Sequence, residues 1–144
     1  EGRLKAVVTQ NIDGLHQKAG SRQVYELHGS VLRNYCMRCG KFDSAEFIRD
    51  SAGVPRCSCG GIVKPDVVLY EEPLDERTLS GAVAAIGNAD LLVVAGTSLA
   101  VYPAAGLIDF FAGSHLVIVN HTPTPRDQHA DLCLAANVGD VFDF

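Results

Sequence analysis

Apolar strands that end in glycine-containing or polar loops recur along this chain, and they constrain its fold more than any other feature. Leu91–Ala95 is an uninterrupted apolar run that ends at Gly96 and precedes a helix predicted over residues 103–112. Residues 116–119 form the next such strand. Repeated strand–loop–helix units with continuous apolar strands indicate a parallel sheet that is covered by helices on both faces. We therefore predict an α/β fold.

The remaining predicted elements are shorter. A strand over residues 5–9 is followed by a helical turn over residues 14–19 and by a second strand over residues 24–27. We also predict a strand over residues 67–70 and a helix over residues 74–87. The candidate core positions of that helix are Leu79, Val83 and Ile86.

Two close cysteine pairs lie in a segment that has little apolar content of its own. Cys36 and Cys39 form the first pair, and Cys57 and Cys59 form the second. Four thiolates in two such pairs match tetrahedral zinc in a closed, structural site, and the ion would stabilise the segment. The alternatives are a redox pair at Cys36 and Cys39, or four unpaired thiols. The fifth cysteine, Cys133, is expected to be a buried core residue.

The composition excludes several classes of protein. The formal net charge is −5 and hydrophobic residues make up 47% of the chain, which is typical of a globular domain. An acidic chain is a poor nucleic-acid binder, because phosphate contacts require clustered lysine and arginine. No apolar stretch is long enough to span a bilayer, and no signal peptide opens the chain. We expect a cytoplasmic protein that binds neither nucleic acid nor membrane.

The loop after the first strand carries amide and carboxylate groups. Residues 10–13 follow the apolar run at residues 4–8, and His28 comes fifteen residues after Asp13. In open α/β sheets, ligands bind outside the carboxyl ends of the strands. An amide and a carboxylate there can bind a ligand's own amide, and a histidine can move a proton near neutral pH. Alternatively, the loop is a polar turn that caps the helix beginning near Gly14.

Two later loops are further candidates for ligand binding. Gly96 permits a ligand to approach the backbone, and the hydroxyls of Thr97 and Ser98 suit a phosphate or a ribose. Asn120 follows the next strand, where it could bond a ribose or cap a turn. Residues 64–70 could form an ordinary edge strand or one wall of a narrow apolar tunnel.

In chain order, these motifs resemble those of the sirtuins, which are NAD-dependent protein-lysine deacylases. The resemblance is carried by residues 9–13, Glu26-Leu27-His28-Gly29, the two cysteine pairs, residues 64–70, Gly96-Thr97-Ser98-Leu99 with residues 101–105, and Val119-Asn120. It covers nearly the whole chain, and residues 70–72 and 120–123 are similar to bacterial members. It implies a partial Rossmann-type parallel sheet with helices on both faces and a small inserted zinc-ribbon module. Residues 1–34 and 65–144 would form the NAD-binding portion, and residues 35–64 the zinc-binding module.

The resemblance also implies roles for individual residues. Asp13 and Asn11 would act in the nicotinamide pocket, and His28 would be the general base. In the family's mechanism the acetyl oxygen attacks C1′ of the nicotinamide ribose and expels nicotinamide. The base then helps to deprotonate the ribose hydroxyl that attacks the resulting imidate. The other NAD contacts would come from Gln10, Ile12, Gly96, Thr97, Ser98, Asn120, His121, Thr122, Asp140 and Val141. The acyl-lysine peptide would be bound by Val67, Val68, Leu69 and Tyr70, and structural Zn²⁺ by Cys36, Cys39, Cys57 and Cys59.

One departure from the family pattern concerns the start of the chain. The family's Gly-Ala-Gly-rich phosphate loop, and the Asp-Phe-Arg segment after it, lie upstream of the Gln-Asn-Ile-Asp motif and do not occur in these 144 residues. We therefore expect the chain to start in mid-fold, without the first Rossmann strand and the pyrophosphate cradle. The missing N-terminal segment is accordingly one of the expected partners.

Three functions are consistent with the sequence. The first is NAD-dependent deacylation, with acyl transfer from lysine to ADP-ribose and release of nicotinamide. The second is a catalytically incomplete module that binds zinc and a nucleotide and acts through partners. The third is a zinc-stabilised interaction domain without a nucleotide site, which would leave the Gln-Asn-Ile-Asp and Gly-Thr-Ser motifs unexplained.

Overall fold

A computed structural model describes residues 3–143, and the chain divides into two compact units, residues 1–79 and 80–144. In the first unit β1 (Val7–Thr9) and β2 (Val24–Glu26) form a parallel pair, and α1 (Leu15–Lys18) lies in the connection between them. The register places Thr9 opposite Glu26. The carboxyl ends of the two strands therefore lie side by side, and the loops that carry the candidate polar residues start there.

An antiparallel sheet holds the cysteines of the first unit. Its strands are β3 (Gly29–Cys36), β4 (Phe42–Asp43) and β5 (Val63–Val67), in the order β4-β3-β5, and α2 (Ala45–Asp50) follows β4. The side chain of Ser44 caps α2 by accepting from the N–H of Phe47 at 3.3 Å. The small core contains Cys36, Cys57 and Val63, with Phe47 and Ile48 packed against them.

The pairing of β3 with β5 contains a bulge. Ser30 pairs with Asp66, whereas Asn34 pairs with Pro65, which is the next position along β5. Residues 31–33 of β3 therefore have no partner on β5. Such extra residues bend a strand and redirect their side chains, and Arg33 is one of them.

The second unit is built on a parallel sheet of three strands, β6 (Leu91–Ala95), β7 (His115–Val119) and β8 (Leu132–Leu134), in that order. Ala95 lies opposite Val119, and Val119 opposite Leu134, so the carboxyl ends are aligned. The helix α3 (Glu76–Gly87) contains the boundary between the two units. The helical elements that follow it are the 3₁₀ helices Ala104–Phe110 and Asp127–His129 and the short α4 (Val138–Val141). The buried apolar residues of this unit include Ala105, Leu107, Leu116, Ile118 and Val119.

The structure confirms the predicted α/β class, with parallel strand pairing and a cysteine-bearing antiparallel module. The strand predicted over residues 67–70 was wrong in its bounds, because β5 ends at Val67 and a turn follows. The helix predicted over residues 103–112 is a shorter 3₁₀ helix. In α3 the buried positions are Ala82 and Ile86, while Leu79 and Val83 are half-buried.

The prediction for Cys133 was also wrong. Its side chain is exposed, because β8 pairs with β7 on one side only and lies at the end of its sheet among residues 3–143. In that same part of the chain, no helix is both long and apolar enough to cross a membrane. The predicted grouping of residues 1–34 with 65–144 around a module at 35–64 stays a prediction.

Candidate functional site

The candidate base lies where β1 and β2 end. Leu27 follows β2, is buried, and donates its N–H to the carbonyl oxygen of Thr9 at 3.0 Å. This bond extends the β1–β2 pairing by one residue and fixes the direction of the chain at His28. The Nδ1 atom of His28 then lies 3.0 Å from the carbonyl oxygen of Gln10. The sheet thus positions the imidazole against the Gln-Asn-Ile-Asp loop.

This contact determines how the imidazole can act. A carbonyl oxygen only accepts hydrogen bonds, so Nδ1 of His28 must carry the hydrogen in this contact. In the neutral ring the lone pair is then on Nε2, which can accept a proton. A second bond fixes the backbone at the same residue, because the carbonyl oxygen of His28 accepts from the N–H of Val68 at 3.1 Å.

Two hydrogen bonds hold the carboxyl-terminal end of the Gln-Asn-Ile-Asp loop. Oδ1 of Asp13 accepts from the N–H of Leu15 at 2.9 Å, so this carboxylate does cap the start of α1. The carbonyl oxygen of Ile12 accepts from the N–H of Val31 at 3.0 Å, which ties the loop to β3. The side chains of Asn11 and Asp13 are exposed. The cap and the ligand-binding role therefore do not exclude each other, because the capped loop presents both side chains to solvent.

The predicted substrate segment contains a strand end and a turn. The Glu72 carboxylate accepts from the N–H of Leu69 at 2.9 Å and lies 3.4 Å from Nζ of Lys64. The bond from the Leu69 amide, together with Lys64, holds the pKa of Glu72 below its usual range. Glu71 has a φ of 70°, in the left-handed region. The Glu72 carboxylate thus occupies the N–H of Leu69, which would be free to pair with another strand if β5 continued to this residue. The side chains of Leu69 and Tyr70 are exposed.

A cavity of about 350 Å³ lies beside the same strand. Its walls come from β3 and β5 and from residues after β5, which are Val68, Glu72, Pro73 and Asp75. The His28 loop is not part of its lining. This cavity therefore touches the predicted substrate segment without containing the candidate base.

An ion triad links β2, β3 and β5. Nη1 of Arg33 is 2.6 Å from Oε2 of Glu26, and Nε of Arg33 is 2.9 Å from Oδ2 of Asp66. The side chain of Glu26 is only 8% exposed, whereas those of Arg33 and Asp66 are 40% and 47% exposed. Partial burial by itself would lower the pKa of Arg33, but the bonds to Glu26 and Asp66 outweigh it and raise the pKa. Glu26 and Asp66 lie in motifs singled out in the sequence, but Arg33 and the contact of the three residues were not predicted, because that contact depends on the bulge in β3.

The four predicted metal ligands converge in space. The sulfur atoms of Cys36, Cys39, Cys57 and Cys59 all lie within 4.8 Å of one another, and the short pairs are 3.5–3.7 Å apart. Four sulfurs about 2.3 Å from a central zinc ion would lie about 3.8 Å apart in a regular tetrahedron. The residues therefore fit a tetrahedral zinc ion, and the set contains no open position for water.

The surroundings of the sulfurs also suit a cation. The backbone N–H of Cys39, aided by that of Arg38, lowers the pKa of the Cys36 thiol to about 6 against the effect of burial. The Gly61 amide lowers the pKa of Cys59, but the thiols of Cys36 and Cys39 outweigh it and raise the pKa to about 12. Without a metal the four thiols share their protons unequally, and a metal would displace those that remain. A Cβ at Gly61 would lie 2.7 Å from Sγ of Cys36, so only glycine fits there.

The predicted nucleotide contacts of the second unit lie at one edge of its sheet. Gly96 follows β6 with a φ of 63° and donates to the carbonyl of Val119 at 2.9 Å. A Cβ at Gly96 would lie 3.5 Å from the side chain of Val138, so the loop approaches the start of α4, which contains Asp140 and Val141. Nδ2 of Asn120 donates to the carbonyl of Thr122 at 2.8 Å. The amide therefore caps a turn, the second of its two predicted roles.

Most of the residues described above fall within a match to a known protein family. The model of the Sir2 family matches residues 1–103. The chain belongs to the Sir2 family. The match takes in the His28 loop, the four cysteines and the Gly-Thr-Ser loop, so the resemblance drawn from the motifs is confirmed.

Curated relatives of this Sir2-family chain are bacterial proteins named NAD-dependent protein deacetylase. The one from Clostridium perfringens is 61% identical over 142 residues, which is 97% of this chain and 58% of that protein. The one from Clostridium acetobutylicum is 57% identical over 99% of this chain and 59% of that protein. The chain thus spans a little under 60% of the length of these relatives.

Solved Sir2 structures share the fold. A complex named Sir2-p53 peptide-NAD+ matches with a TM-score of 0.89 and 43% identity, over 96% of this chain and 60% of that one. A complex of Sir2 with an inhibitor, 2′-O-acetyl-ADP-ribose and deacetylated p53 peptide has the same TM-score at 42% identity. It covers 96% of this chain and 61% of the other. The chain therefore has the Sir2 fold.

The structure brings the predicted residues together in groups. Within the first unit, the loop at residues 10–13, His28 and Val68 are linked by hydrogen bonds, and the four cysteines form one cluster. Within the second unit, the Gly96 loop, Asn120 and α4 lie at the carboxyl ends of the strands. The individual roles of these residues stay predictions.

Proposed function

We propose that this chain belongs to an NAD-dependent protein-lysine deacylase, which transfers an acyl group from lysine to ADP-ribose and releases nicotinamide. Family membership and the deacetylase names of its relatives support the reaction class. The observation that carries the proposal is the His28 imidazole, whose Nδ1 is bonded to the Gln10 carbonyl and whose backbone is bonded to Val68. A base with a fixed tautomer is thereby tied to the segment proposed to bind the acyl-lysine.

His28 is the proposed general base. When NAD is bound, it supplies the ribose carbon from which nicotinamide departs and the hydroxyl that receives the acyl group. Nε2 of His28 accepts the proton of that hydroxyl, while the Gln10 carbonyl holds Nδ1 and stabilises the positive charge that the ring acquires. Proton transfer of this kind typically contributes about 10²–10⁴-fold to the rate.

The Gln-Asn-Ile-Asp loop is the proposed nicotinamide pocket. Asp13 accepts from the carboxamide NH₂ of nicotinamide, and Asn11 holds its ribose, while Gln10 and Ile12 complete the wall. The bonds from Leu15 and Val31 to this loop support the assignment, because they restrict its conformation before a ligand arrives. Asn11 and Asp13 assist catalysis by orienting the leaving group.

The adenosine side of NAD is assigned to the second unit. The proposed contacts are Gly96, Thr97, Ser98, Asn120, His121, Thr122, Asp140 and Val141. Their positions at the carboxyl ends of parallel strands support the assignment, since dinucleotides bind there in related sheets.

The acyl-lysine peptide is proposed to bind along Val67, Val68, Leu69 and Tyr70. A peptide in extended form can add to such a segment as a further strand, with main-chain bonds giving affinity. The apolar side chains of Val67 and Val68 are half-buried and suit the lysine methylenes and the acyl group.

Zinc is proposed to be structural. Cys36, Cys39, Cys57 and Cys59 would hold it, and the ion would stabilise a module whose apolar core is small. We also propose a cytoplasmic location, because the cysteines form a metal-type cluster and all five are free thiols.

The second candidate function is a module that binds zinc and a nucleotide without turnover. It is favoured by the four-cysteine cluster and by the aligned carboxyl ends of the parallel strands, which can hold an ion and a nucleotide without performing any chemistry. Nicotinamide release from NAD with an acetyl-lysine peptide separates the two functions. Deacylation predicts release that requires the acetyl group, from the full-length protein that contains this chain. No release from that protein supports the binding module instead.

A further inference from the structure

We propose that Arg33 is a positioning residue for the deacylation reaction, holding the strand that leads to His28 and the strand that leads to Val68 at a fixed separation. The inference rests on the proposed function and adds a residue to it. Arg33 touches neither of the proposed ligands. It acts through Glu26 on one side and Asp66 on the other.

Each carboxylate lies two residues before the residue that it helps to position. Glu26 is the last residue of β2, two positions before His28. Asp66 is the fourth residue of β5, two positions before Val68. The N–H of Val68 bonds to the carbonyl of His28 at 3.1 Å. The guanidinium of Arg33 therefore joins Glu26 to Asp66, while the bond between Val68 and His28 joins the same two strands further along. The candidate base and the proposed substrate segment are thus linked on both sides.

The bulge in β3 explains how Arg33 reaches both partners. With regular pairing, the side chain of residue 33 would point to one face of the sheet, in alternation with its neighbours along β3. Instead, residues 31–33 are unpaired on β5 between Ser30 and Asn34. The unpaired stretch lets the side chain turn so that Nη1 meets Glu26 and Nε meets Asp66. Bulges of this kind often redirect a side chain next to an active site.

Arginine is the residue suited to this position. Its planar guanidinium presents donors in a fixed fork and can serve two carboxylates at once, whereas the lysine ammonium is a point charge on a flexible stem. The pairing with Asp66 is exposed and contributes little stability by itself. Glu26 differs, because its side chain is 8% exposed and its charge would be left nearly buried without Arg33.

The backbones of β3 and β5 are in close contact at the same place. A Cβ at Gly29 would lie 1.9 Å from the carbonyl oxygen of Asp66, so β3 and β5 approach as closely as their backbones permit. A small rotation of β5 therefore moves Val68 relative to His28. Misplacement of reacting groups by about 1 Å can cost about 10²-fold in rate.

The test compares Arg33→Met with the wild type in the full-length protein that contains this chain. For Arg33→Met we expect kcat/KM for an acetyl-lysine peptide to fall by about 10- to 100-fold, with a smaller change in KM for NAD. Hydrogen exchange at the Val68 amide should become faster. Arg33→Lys should recover part of the loss in kcat/KM, because it can still pair with one of the two carboxylates.

Two comparisons separate positioning from general stability. Arg33→Met combined with Asp66→Asn should lower kcat/KM by less than the product of the two single effects, because both changes break the same bridge. Arg49→Met is the matched control, since Arg49 pairs with Asp50 at 2.8 Å on the surface of the same unit. It should leave kcat/KM and the exchange at Val68 unchanged.

The kinetics of the wild type and of Arg33→Met distinguish the role of Arg33 from the proposed function itself. An active wild type with a slower Arg33→Met variant and faster exchange at Val68 supports the role of Arg33. An active wild type with unchanged kinetics in a folded Arg33→Met variant overturns it and leaves the proposed function standing. A wild type that releases no nicotinamide overturns the proposed function, and the role of Arg33 in that reaction with it.

Discussion

Nδ1 of His28 lies 3.0 Å from the carbonyl oxygen of Gln10. The two residues follow neighbouring parallel strands, and their contact arises because β1 and β2 end at the same level. The contact assigns the hydrogen of the neutral ring to Nδ1 and leaves Nε2 to accept a proton. A single bond to a backbone carbonyl thereby orients the imidazole for its proposed role as the base.

Replacing His28 tests this role. In the full-length protein, His28→Ala should lower kcat for deacylation by about 10²-fold or more, because the proton acceptor is lost. The melting temperature should change little, since the half-buried ring makes one bond to a backbone carbonyl. His129→Ala is the control, since His129 is exposed in the second unit. Retained turnover in His28→Ala, measured by nicotinamide release, would refute the assignment of the base.

The cysteine cluster predicts a metal content that depends on four of the five cysteines. Cys36→Ser should lose bound zinc and unfold the antiparallel module of β3, β4 and β5, because its small core cannot hold it alone. Cys133→Ser should retain both the metal and the fold, since Cys133 lies outside the cluster. Zinc stoichiometry by atomic absorption and circular dichroism check the two variants. An unchanged zinc content in Cys36→Ser would rule out the four-cysteine site.

Gly29 should tolerate no side chain. Its φ is 77°, and a Cβ there would meet the Asp66 carbonyl oxygen at 1.9 Å. We expect Gly29→Ala to destabilise the fold by more than about 2 kcal/mol, because backbone strain and a backbone clash add together. Gly20→Ala separates the two effects, since Gly20 has a φ of 93° with nothing within 4 Å. Equal denaturation midpoints for the two variants would mean that the close approach of β3 and β5 adds nothing to the loss of stability in Gly29→Ala.

Asp75 should make the stability of α3 depend on pH. Its carboxylate accepts from the N–H and the hydroxyl of Thr78, and these bonds hold its pKa below the usual value. A lowered folded-state pKa gives stability that is present above the unfolded-state pKa and is lost as the pH falls through the folded-state pKa. Asp75→Ala should therefore destabilise the protein more at pH 7 than at pH 3. Asp75→Asn keeps a capping oxygen and should lose less at pH 7.

Denaturant titrations at the two pH values check this prediction. The difference in unfolding free energy between the wild type and Asp75→Ala should shrink on acidification. A difference that is the same at both pH values would show that the charge of Asp75 contributes nothing to the cap.

Four of the five parallel strands could be predicted from the sequence because their apolar runs are continuous, whereas the three-residue β8 was not predicted. Leu91–Ala95 was predicted with its observed bounds. The opposite holds for β3, where the buried positions include Ser30, Asn34 and Cys36, while Leu32 and Tyr35 are exposed. An apolar pattern cannot indicate a strand that buries its polar residues.

The predictable part of the candidate site consists of residues that neighbouring strand ends bring together. His28 and residues 10–13 belong to this part, because parallel pairing alone places them side by side. The Arg33 triad does not, since it depends on a bulge that the residue order does not reveal. The turn after Val67 was missed for a similar reason, because the side chain of Glu72 makes it.

The products of one reaction test the central claim most directly. The full-length protein that contains this chain should be incubated with NAD and an acetyl-lysine peptide, and every product quantified by mass spectrometry. We predict equal amounts of nicotinamide, deacetylated peptide and ADP-ribose that carries the acetyl group. Deacetylated peptide accompanied by free acetate and unconsumed NAD would contradict the account.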